Sequence, residues 1–327
     1  MQIIQTERHK SNNQLGKLTI AIPTWNRADQ LLAQLDAIAA AFGGEHEVVV
    51  ADNGSSDHTW HALCDEVATN RLSLKCLRSP VNCGCDVNYL RALEAATGEW
   101  TWLIGDDDLI SCEGFKQDIL ELLDRAKADV VLLTDIDSLA HLKGDIFQIN
   151  VDKFFDISMD FCSGYLLKLS RSIYRTQRAL EWIPYAYQHG VGSLHSYSYV
   201  QAKLLRINGL DIIFSDLLFF PDPYDEHRWD HLNGHLGAWK TNLVIFRPYK
   251  KYVRAREKRL RAHLVLEAAG HKLYREESSR SWIIFVLREL PFKHKLKLLY
   301  HFYRSRLPGL LFLRIKRPPN LENNSEY

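Results

Sequence analysis

The sequence lacks any apolar run long enough to cross a membrane, and its cysteines lack the spacing of a metal site. The longest apolar runs, residues 282–287 and 310–313, are far shorter than the roughly 18 residues that a membrane-spanning helix requires. The six cysteines do not occur in zinc-binding pairs or in a compact disulfide framework. Residues 1–17 are polar and contain no apolar segment of a secretory signal. We therefore expect a cytoplasmic protein with reduced thiols.

The chain as a whole is nearly neutral, but two of its segments carry large charges of opposite sign. The 327 residues carry a formal net charge of +1, and 46% of them are apolar, which is ordinary for a globular protein. Residues 250–317 contain 19 Lys and Arg against 5 Asp and Glu, whereas residues 1–249 contain 22 against 33. This division predicts an acidic domain over residues 1–249. It also predicts a basic helical region over residues 250–327, which faces an anionic partner and ends in a disordered tail.

Strands and helices alternate through the first 134 residues. Buried strands are predicted at residues 18–22, ending at Pro23, and at residues 47–51, 74–77, 100–104 and 129–134. Helices are predicted at residues 29–39, 59–69, 86–97 and 114–128. This order indicates an α/β fold with a mostly parallel sheet flanked by helices. Residues 135–249 are less regular, with strands predicted at 164–169 and 212–220 and a helix at 194–205.

Polar clusters follow three of these strands, at residues 23–27, 52–57 and 106–108. The carboxyl ends of parallel strands meet at the edge where such sheets bind ligands. The last cluster is three consecutive aspartates, which repel one another unless a cation lies among them. Carboxylates suit hard ions such as Mg²⁺ or Mn²⁺, which also take phosphate oxygens from a substrate. The pattern predicts a metal-bridged diphosphate at this edge, with a solvated acidic turn as the alternative.

Four segments in this order resemble family 2 of the GT-A glycosyltransferases. They are residues 20–27 (IAIPTWNR), residues 48–57 (VVVADNGSSD), Asn82-Cys83-Gly84 with Asn88, and residues 98–108 (GEWTWLIGDDD). The Gly-Asp-Asp-Asp form looks like the abequosyltransferase-like branch, which transfers sugars in bacterial surface polysaccharide assembly. The resemblance implies a GT-A fold with a nucleotide-sugar half at about residues 18–134 and an acceptor half at about residues 135–249.

The resemblance implies a nucleotide-sugar donor that is held by the first two polar clusters. Asp52 would accept hydrogen bonds from the base or the ribose, and Pro23 and Thr24 would form the wall against the base. Arg27 would approach a phosphate. The alternative for Asp52 is an aspartate that caps a helix or a turn. The alternative for Arg27 is a solvated surface arginine.

The third cluster is assigned to the ribose and the metal ion on the same resemblance. Asp106 would face the ribose, while Asp107 and Asp108 would hold Mg²⁺ or Mn²⁺, with Asp108 in a catalytic role. Asn82 and Asn88 are also assigned to donor binding. The wider family usually has Asp-x-Asp-Asp here, so Gly105 stands at the first position and the register of the three aspartates stays open.

Inversion at the anomeric carbon, as the resemblance implies, requires a general base near the acceptor hydroxyl. The wider family places an acidic pair there, but residues 192–197 (GSLHSY) contain no carboxylate. His195 is the candidate base because its ordinary pKa lies near neutrality. A core or capping histidine, or one that supports the metal, is the alternative, and Asp216, Asp222 and Asp225 are rival bases.

A loop rich in proline and charge follows at residues 221–229 (PDPYDEHRW). It is predicted to be mobile, so His227 or Arg228 would close over the diphosphate. A plain surface loop is the alternative.

The basic region carries apolar residues at helical spacing, namely Leu296, Leu299, Tyr300, Tyr303 and Leu307. A basic amphipathic helix of this kind binds an anionic bilayer, so we expect a peripheral protein on the bacterial inner membrane. A helix packed on the catalytic domain is the alternative. Family members often use polyprenyl-diphosphate-linked acceptors, which favours the membrane.

The leading hypothesis is a metal-dependent inverting glycosyltransferase that acts on a glycan or lipid-linked acceptor, with no nucleic-acid partner. A nucleotidyltransferase is an alternative, although residues 23–27 lack the Gly-rich, lysine-containing loop that is usual in that class. The third possibility is a non-catalytic, membrane-associated binding protein with a degenerate transferase fold. The retained Asp52 and the three aspartates of residues 106–108 argue against it.

Overall fold

The computed structural model describes residues 1–11, 16–110, 115–134, 145–150, 169–214 and 220–221. The chain divides into two compact units, Met1–Val253 and Arg254–Tyr327, and every described residue lies in the first. The predicted domain limits at residues 134 and 249 stay predictions. What was predicted for residues 250–327, and for a strand at residues 164–168, lies outside the described residues.

The described strands and helices follow the predicted alternation. The strands are β1 (Gln2–Gln5), β2 (Leu18–Thr24), β3 (Glu47–Asp52), β4 (Ser73–Arg78), β5 (Trp100–Leu103), β6 (Asp108–Leu109), β7 (Val130–Thr134), β8 (Ile146–Ile149), β9 (Ser172–Arg175), β10 (Leu210–Phe214) and β11 (Phe220–Pro221). The helices are α1 (Glu7–Ser11), α2 (Ala28–Phe42), α3 (Thr59–Thr69), α4 (Cys85–Glu94), α5 (Phe115–Arg125), α6 (Thr176–Leu180), α7 (Ile183–Gly190) and α8 (Ser196–Asn208). A short 3₁₀ turn covers Leu169–Arg171.

The described strands form one large mixed sheet and one small one. The order in the large sheet is β1-β4-β3-β2-β5-β9-β7-β10-β8. Strands β4, β3, β2 and β5 are parallel to one another, and β7 is parallel to β10. Strand β9 lies antiparallel between β5 and β7. The α/β class is confirmed, and the parallel strands place the ends of β2, β3 and β5 at one edge.

The two faces of the sheet are covered by different helices. Ile20 and Ile22 of β2 pack in a core cluster with apolar residues of α2, α3 and α5, whereas Ala21 packs in a cluster with residues of α4, α6, α7 and α8. Successive side chains of a strand point to opposite faces, so a strand between two helical layers needs apolar residues at every position. This burial explains the continuous apolar run of β2, which is buried throughout.

The prediction that Pro23 ends the first strand is wrong. Strand β2 continues to Thr24, and Pro23 and Thr24 stay in register with Ala51 and Asp52 of β3. The carbonyl of Ala21 accepts from Ile104 on the β5 side, and Pro23 faces the same side two residues later. The register with β5 ends at Ala21, so the missing N–H of proline costs no ladder bond there.

Four described strands, β1, β6, β8 and β9, have no counterpart among the predicted strands. Strand β1 pairs antiparallel with β4, although residues 1–17 were assigned no element. Strand β9 is only four residues long, Ser172–Arg175, and joins the two parallel parts of the sheet. Within the described ranges, no helix is long and apolar enough to span a bilayer.

Candidate functional site

The carboxyl ends of β2 and β3 are tied together by short polar loops. The N–H of Asn53 donates to the carbonyl of Thr24 at 3.0 Å. Asn26 has a positive φ of 54°, and its side-chain oxygen accepts from the N–H of Ser56 at 2.8 Å. Asparagine tolerates this left-handed conformation better than most residues. The two loops therefore form one preorganised surface, as predicted for residues 23–27 and 52–57.

Asp52 is fully buried at the end of β3, beneath this surface. Its Oδ1 accepts from the N–H of Ser55 at 2.9 Å and from the Ser55 hydroxyl at 2.5 Å, while Oδ2 lies 3.4 Å from Nε of Arg78. Within the described part of the chain, Oδ2 accepts no hydrogen bond. Asp52 thus closes a turn, as the alternative interpretation predicted, and its second oxygen is buried beside the charge of Arg78.

Of the two asparagines assigned to the donor, Asn82 holds the loop that precedes α4 and Asn88 bonds to the ends of the strands. Asn82 Oδ1 accepts from Asn53 Nδ2 and from the N–H of Gly84, both at 2.8 Å. Asn88 is buried, and its Nδ2 donates to the carbonyl of Ala51 at 2.7 Å. Both residues therefore stabilise the chain where the strands end, and Asn88 does so from a buried position.

Arg27 and Thr24 bring the first polar cluster to the third. Thr24 Oγ1 donates to Asp106 Oδ2 at 2.7 Å, and Arg27 Nη1 donates to Asp106 Oδ1 at 2.9 Å and also to Asp107 Oδ2. Burial raises the pKa of Asp106 to about 6, although Arg27 opposes that rise. Burial alone would lower the pKa of Arg27, but Asp106 and Asp107 raise it above its usual value. Arg27 is therefore a charged, half-buried counter-ion of the cluster.

Asp107 and Asp108 approach each other across Gly105. A Cβ atom on Gly105 would lie 2.8 Å from Asp107 Oδ1 and 3.1 Å from Asp108 Oδ2. Only a residue without a side chain leaves this space to the two carboxylates. The glycine that departs from the Asp-x-Asp-Asp pattern thus has a specific place. Asp106 turns toward Thr24 and Arg27, and Asp107 and Asp108 share the space over Gly105.

This arrangement suits a divalent ion that completes its shell on a substrate. Among the residues that the structure describes, no group of three or more His, Cys, Asp or Glu side chains is arranged to hold a metal ion. The two carboxylates over Gly105 are hard oxygen ligands, and Mg²⁺ is often held by one or two carboxylates plus substrate phosphates. The residues therefore fit a cation whose binding depends on a diphosphate.

Two residues that sequence analysis missed fix the acidic segment. Gln34 of α2 is fully buried, and its Nε2 donates to the carbonyl of Asp108 at 2.9 Å. The Ser170 hydroxyl accepts from the N–H of Gly105 at 2.9 Å and donates to Asp108 Oδ2. Gln34 lies on the apolar stripe of α2 between Leu31 and Leu35, and a polar residue at such a core position indicates a specific hydrogen-bonding role. Nothing in the sequence around Ser170 indicates its role.

His195 lies immediately before α8 and is largely buried. Its Nδ1 lies 3.1 Å from the hydroxyl of Tyr197, and its main-chain N–H donates to Ser193 Oγ at 3.0 Å. Burial raises the pKa of Tyr197 well above its usual value, and the charges of Asp86 and Asp108 add to the rise. Tyr197 is thus a buried, neutral partner of the His195 ring.

The remaining predicted site residues lie outside the part of the chain that the structure describes, namely Asp216, Asp222, Asp225, His227 and Arg228. Strand β11 ends at Pro221, the first residue of the loop predicted at residues 221–229, and Pro221 is paired with Asp108 of β6. The described chain therefore leads to the acidic cluster where the predicted loop begins.

Comparisons with known proteins agree with this architecture. Residues 19–154 match the family model "Glycosyl transferase family 2". The chain is 29% identical over 119 residues to abequosyltransferase RfbV of Salmonella typhimurium, a match that covers 35% of this chain and 34% of that protein. It is 33% identical over 101 residues to an uncharacterized glycosyltransferase of Mycoplasma genitalium, covering 29% of this chain and 33% of the relative. The chain thus spans about a third of the length of the curated relatives that it matches.

Two solved structures share the fold over most of the chain. Residues 1–349 of S. aureus TarS in complex with UDP superpose with a TM-score of 0.55 at 17% identity, covering 88% of each chain. A mannosyltransferase from Pyrobaculum calidifontis, in complex with GDP-Man and Mn²⁺, gives a TM-score of 0.52 at 16% identity over 90% of this chain and 87% of that one. The resemblance seen in the motifs is therefore confirmed: residues 19–154 match the glycosyl transferase family 2 model, part of the chain is similar to an abequosyltransferase, and the solved structures share the fold.

Proposed function

We propose that this protein is an inverting glycosyltransferase that moves a sugar from a nucleoside-diphosphate sugar to a glycan or polyprenyl-diphosphate-linked acceptor in bacterial surface polysaccharide synthesis. The observation that carries the proposal is the convergence of Asp52, Arg27 and residues 106–108 at one edge of the sheet, within the residues that match the family 2 model. The abequosyltransferase match supports the polysaccharide context, and the UDP and GDP-Man complexes of the structural neighbours support the donor class.

The donor lies across the ends of β2, β3 and β5 in this proposal. Pro23, Thr24 and Asn82 border the base and ribose, and Asp52 Oδ2 accepts a hydrogen bond from the nucleoside. Arg27 Nη1 lies between two carboxylates and is close enough to Asp107 to turn toward a diphosphate bound there. Binding in this way replaces an internal ion pair with one to the substrate, which keeps the guanidinium paired throughout.

Mg²⁺ or Mn²⁺ would be held by Asp107 and Asp108, and when bound it would supply Lewis-acid stabilisation of the leaving nucleoside diphosphate. The chain contributes the placement of both carboxylates through Gly105, Ser170 and Gln34. Asp106 stays bonded to Thr24 and faces the ribose.

His195 is the general base of the proposed reaction. The acceptor hydroxyl gives its proton to the imidazole while its oxygen bonds to the anomeric carbon. The bond from that carbon to the diphosphate oxygen breaks on the opposite face, and its electron pair leaves with the nucleoside diphosphate. Tyr197, beside Nδ1, orients the ring. His227 or Arg228 closes over the diphosphate in the same proposal.

Residues 250–317 attach the enzyme to the inner membrane in this account. Their 19 basic residues against 5 acidic ones favour anionic lipid. The full chain should co-sediment with vesicles that contain phosphatidylglycerol at low salt, should be released as salt rises, and should ignore phosphatidylcholine vesicles. Equal indifference to both vesicle types would refute the attachment.

Calorimetric titration tests the proposed donor site. UDP, CDP, GDP and dTDP are titrated with and without Mn²⁺, and we expect one base to bind best and to bind more tightly with the ion. Asp52→Ala should weaken that binding by about 1–3 kcal/mol, because it removes an acceptor from a buried site. Asp65→Asn, a change on the exposed side of α3, is the matched control and should change nothing. No binding of any nucleotide, or unchanged affinity in Asp52→Ala, would count against the site.

A further inference from the structure

One buried carboxylate holds the main chain on both sides of His195. Asp86 Oδ2 accepts from the N–H of Gly192 at 2.8 Å and from the N–H of Leu194 at 2.9 Å, and Oδ1 accepts from the N–H of Ser196 at 2.9 Å. The Ser196 hydroxyl also donates to the main-chain carbonyl of Asp86 at 2.8 Å. Only 4% of Asp86 is exposed, so these bonds form away from solvent, where a charged acceptor holds its donors most firmly.

The segment that Asp86 holds, residues 192–196, has a backbone that does not form by itself. Leu194 has a positive φ of 63°, which a branched side chain rarely adopts without support from its surroundings. Its N–H is one of the three that Asp86 accepts. The carboxylate thus stabilises an unfavourable conformation one residue before His195, which points to a constraint on where the imidazole lies.

Helix α4, which contains Asp86, also contacts the edge of the sheet where the donor is proposed to bind. Asp86 lies in the first turn of α4, and Asn88, two residues later, donates to the carbonyl of Ala51 at the end of β3. Tyr89 packs edge-on against Tyr197 with ring centroids 5.4 Å apart, and Tyr197 contacts His195. Helix α4 is therefore in contact with the end of β3 on one side and with the segment that carries His195 on the other.

We propose that Asp86 is a positioning residue that fixes His195 relative to the donor, with α4 as the rigid connection. This inference rests on the proposed function, in which His195 is the base. Asp86 needs both carboxylate oxygens, because the three N–H groups are shared between Oδ1 and Oδ2. An asparagine keeps the size of the side chain but offers one oxygen, so at least one of the three bonds is lost and an N–H group faces an NH₂ group.

Asp86→Asn in the full chain tests this inference, with Asp211→Asn as the matched control. Asp211 is equally buried and accepts two main-chain N–H groups, from Lys127 at 2.7 Å and Ala128 at 2.8 Å, at the amino ends of β7 and β10. We expect Asp86→Asn to lower kcat about 10- to 100-fold, with nucleoside-diphosphate affinity within about twofold of wild type. Asp211→Asn should lower stability without this selective loss of kcat.

Hydrogen exchange supplies a readout that does not depend on activity. The amides of residues 190–198 should exchange at least about tenfold faster in Asp86→Asn than in wild type and should be unchanged in Asp211→Asn. Unchanged exchange in Asp86→Asn would overturn the inference, even if the wild type transfers no sugar and the proposed function itself has failed. A kcat near wild type, or equal losses of kcat in both variants, would overturn it as well.

If Asp86→Asn does not fold, Ser196→Ala is the second variant, because it removes only the hydroxyl bond to the Asp86 carbonyl. It should speed exchange of the same segment and lower kcat about three- to tenfold with donor affinity kept. Wild-type exchange and kcat in Ser196→Ala would overturn the inference.

Discussion

The guanidinium of Arg27 lies between Asp106 and Asp107, with Nη1 2.9 Å from Asp106 Oδ1. The pair spans 79 residues of sequence and joins the loop after β2 to the acidic segment after β5. A cation supplied by the protein thus neutralises part of the cluster in which we propose a metal ion. It follows that Arg27 and the metal ion compete for the same carboxylates until a diphosphate draws Arg27 away.

Arg27→Met should therefore separate the two binding events. We expect it to raise the affinity for Mn²⁺ in the absence of nucleotide about tenfold, because the competing charge is gone. It should weaken nucleoside-diphosphate binding by about 1–2 kcal/mol, because a charged donor to the phosphates is lost. Titration calorimetry with Mn²⁺ alone, and then with nucleotide, measures both.

The control for this change is Arg71→Met. Arg71 also pairs with two carboxylates, Asp36 at 2.6 Å and Glu66 at 2.5 Å, but none of them belongs to the site. It should leave both affinities unchanged. An Arg27→Met protein that binds Mn²⁺ as weakly as wild type would show that the arginine does not compete for the carboxylates.

Gly105→Ala should disturb the metal carboxylates without unfolding the chain. Gly105 is not among the residues with positive φ, so alanine suits its backbone, but the new Cβ would lie 2.8 Å from Asp107 Oδ1. The carboxylates must move apart, and we expect the Mn²⁺-dependent part of nucleotide affinity to fall about tenfold while the unfolding temperature changes little.

Gly98→Ala is the comparison, because it should lower stability and leave the Mn²⁺ dependence of nucleotide binding unchanged. There the Cβ would lie 2.8 Å from the main-chain nitrogen of Thr19, which cannot turn away as a side chain can. It should cost about 1–3 kcal/mol of stability, as overpacking usually does, and leave the Mn²⁺ dependence intact. Equal Mn²⁺ dependence in Gly105→Ala and wild type would contradict the placement of the metal over Gly105.

The raised pKa of Asp106 predicts a pH-dependent stability. Burial raises this pKa from 3.8 to about 6, so the folded state binds the proton more tightly than the unfolded state. Ionisation of this carboxyl therefore lowers the free energy of unfolding progressively as pH rises from about 4 to about 6. The full destabilisation is present above that range. Asp106→Asn removes the titration and keeps an acceptor oxygen for Thr24.

We expect Asp106→Asn to be more stable than wild type by about 1–3 kcal/mol at pH 7.5, and the advantage to disappear near pH 4. Urea unfolding at several pH values measures the difference, with Asp65→Asn on the surface of α3 as a control. A difference that does not vary with pH would contradict the raised pKa.

His195→Ala should lower kcat about 10²- to 10⁴-fold with donor affinity preserved, the range for loss of a general base. Steady-state kinetics with nucleotide titration separates the two quantities. The rivals are compared as Asp216→Asn, Asp222→Asn and Asp225→Asn. A comparable loss in one of these, with His195→Ala near wild type, would transfer the role to that carboxylate.

Much of the fold follows from local pattern, because the strands that carry the site are buried on both faces. Strands β2, β3 and β5 are continuous apolar runs followed by polar turns, which sequence alone identifies. Strand β9 has only four residues, and its place between β5 and β7 depends on tertiary pairing that no local signal encodes. The prediction at Pro23 was wrong because a proline interrupts a strand only where its nitrogen faces a neighbouring strand that requires a hydrogen bond from it. The sequence does not show which side that nitrogen faces.

The candidate site could be predicted from the sequence where its chemistry depends on residue type. It could not be predicted where the site depends on how distant segments of the chain are placed. Three adjacent carboxylates predict a cation from the sequence, but which of them share the space over Gly105 depends on how the chain turns after that glycine. Asp86 looks like an ordinary acidic residue in the first turn of a helix, a position where carboxylates are common. Its three partners are more than 100 residues away, at Gly192, Leu194 and Ser196, so sequence spacing could not connect them.

The central claim is best tested by the products formed from a nucleotide-sugar donor. The full chain is incubated with Mn²⁺, the nucleoside-diphosphate sugar whose base binds best, and a polyprenyl-diphosphate-linked glycan acceptor, and the released nucleotide is identified by mass. The account predicts a nucleoside diphosphate in equal amount to the elongated acceptor, with an inverted anomeric configuration, and no product from Asp108→Asn. Release of pyrophosphate would indicate a nucleotidyltransferase, and a bound but unreacted donor would indicate a binding protein, so either result would contradict the account.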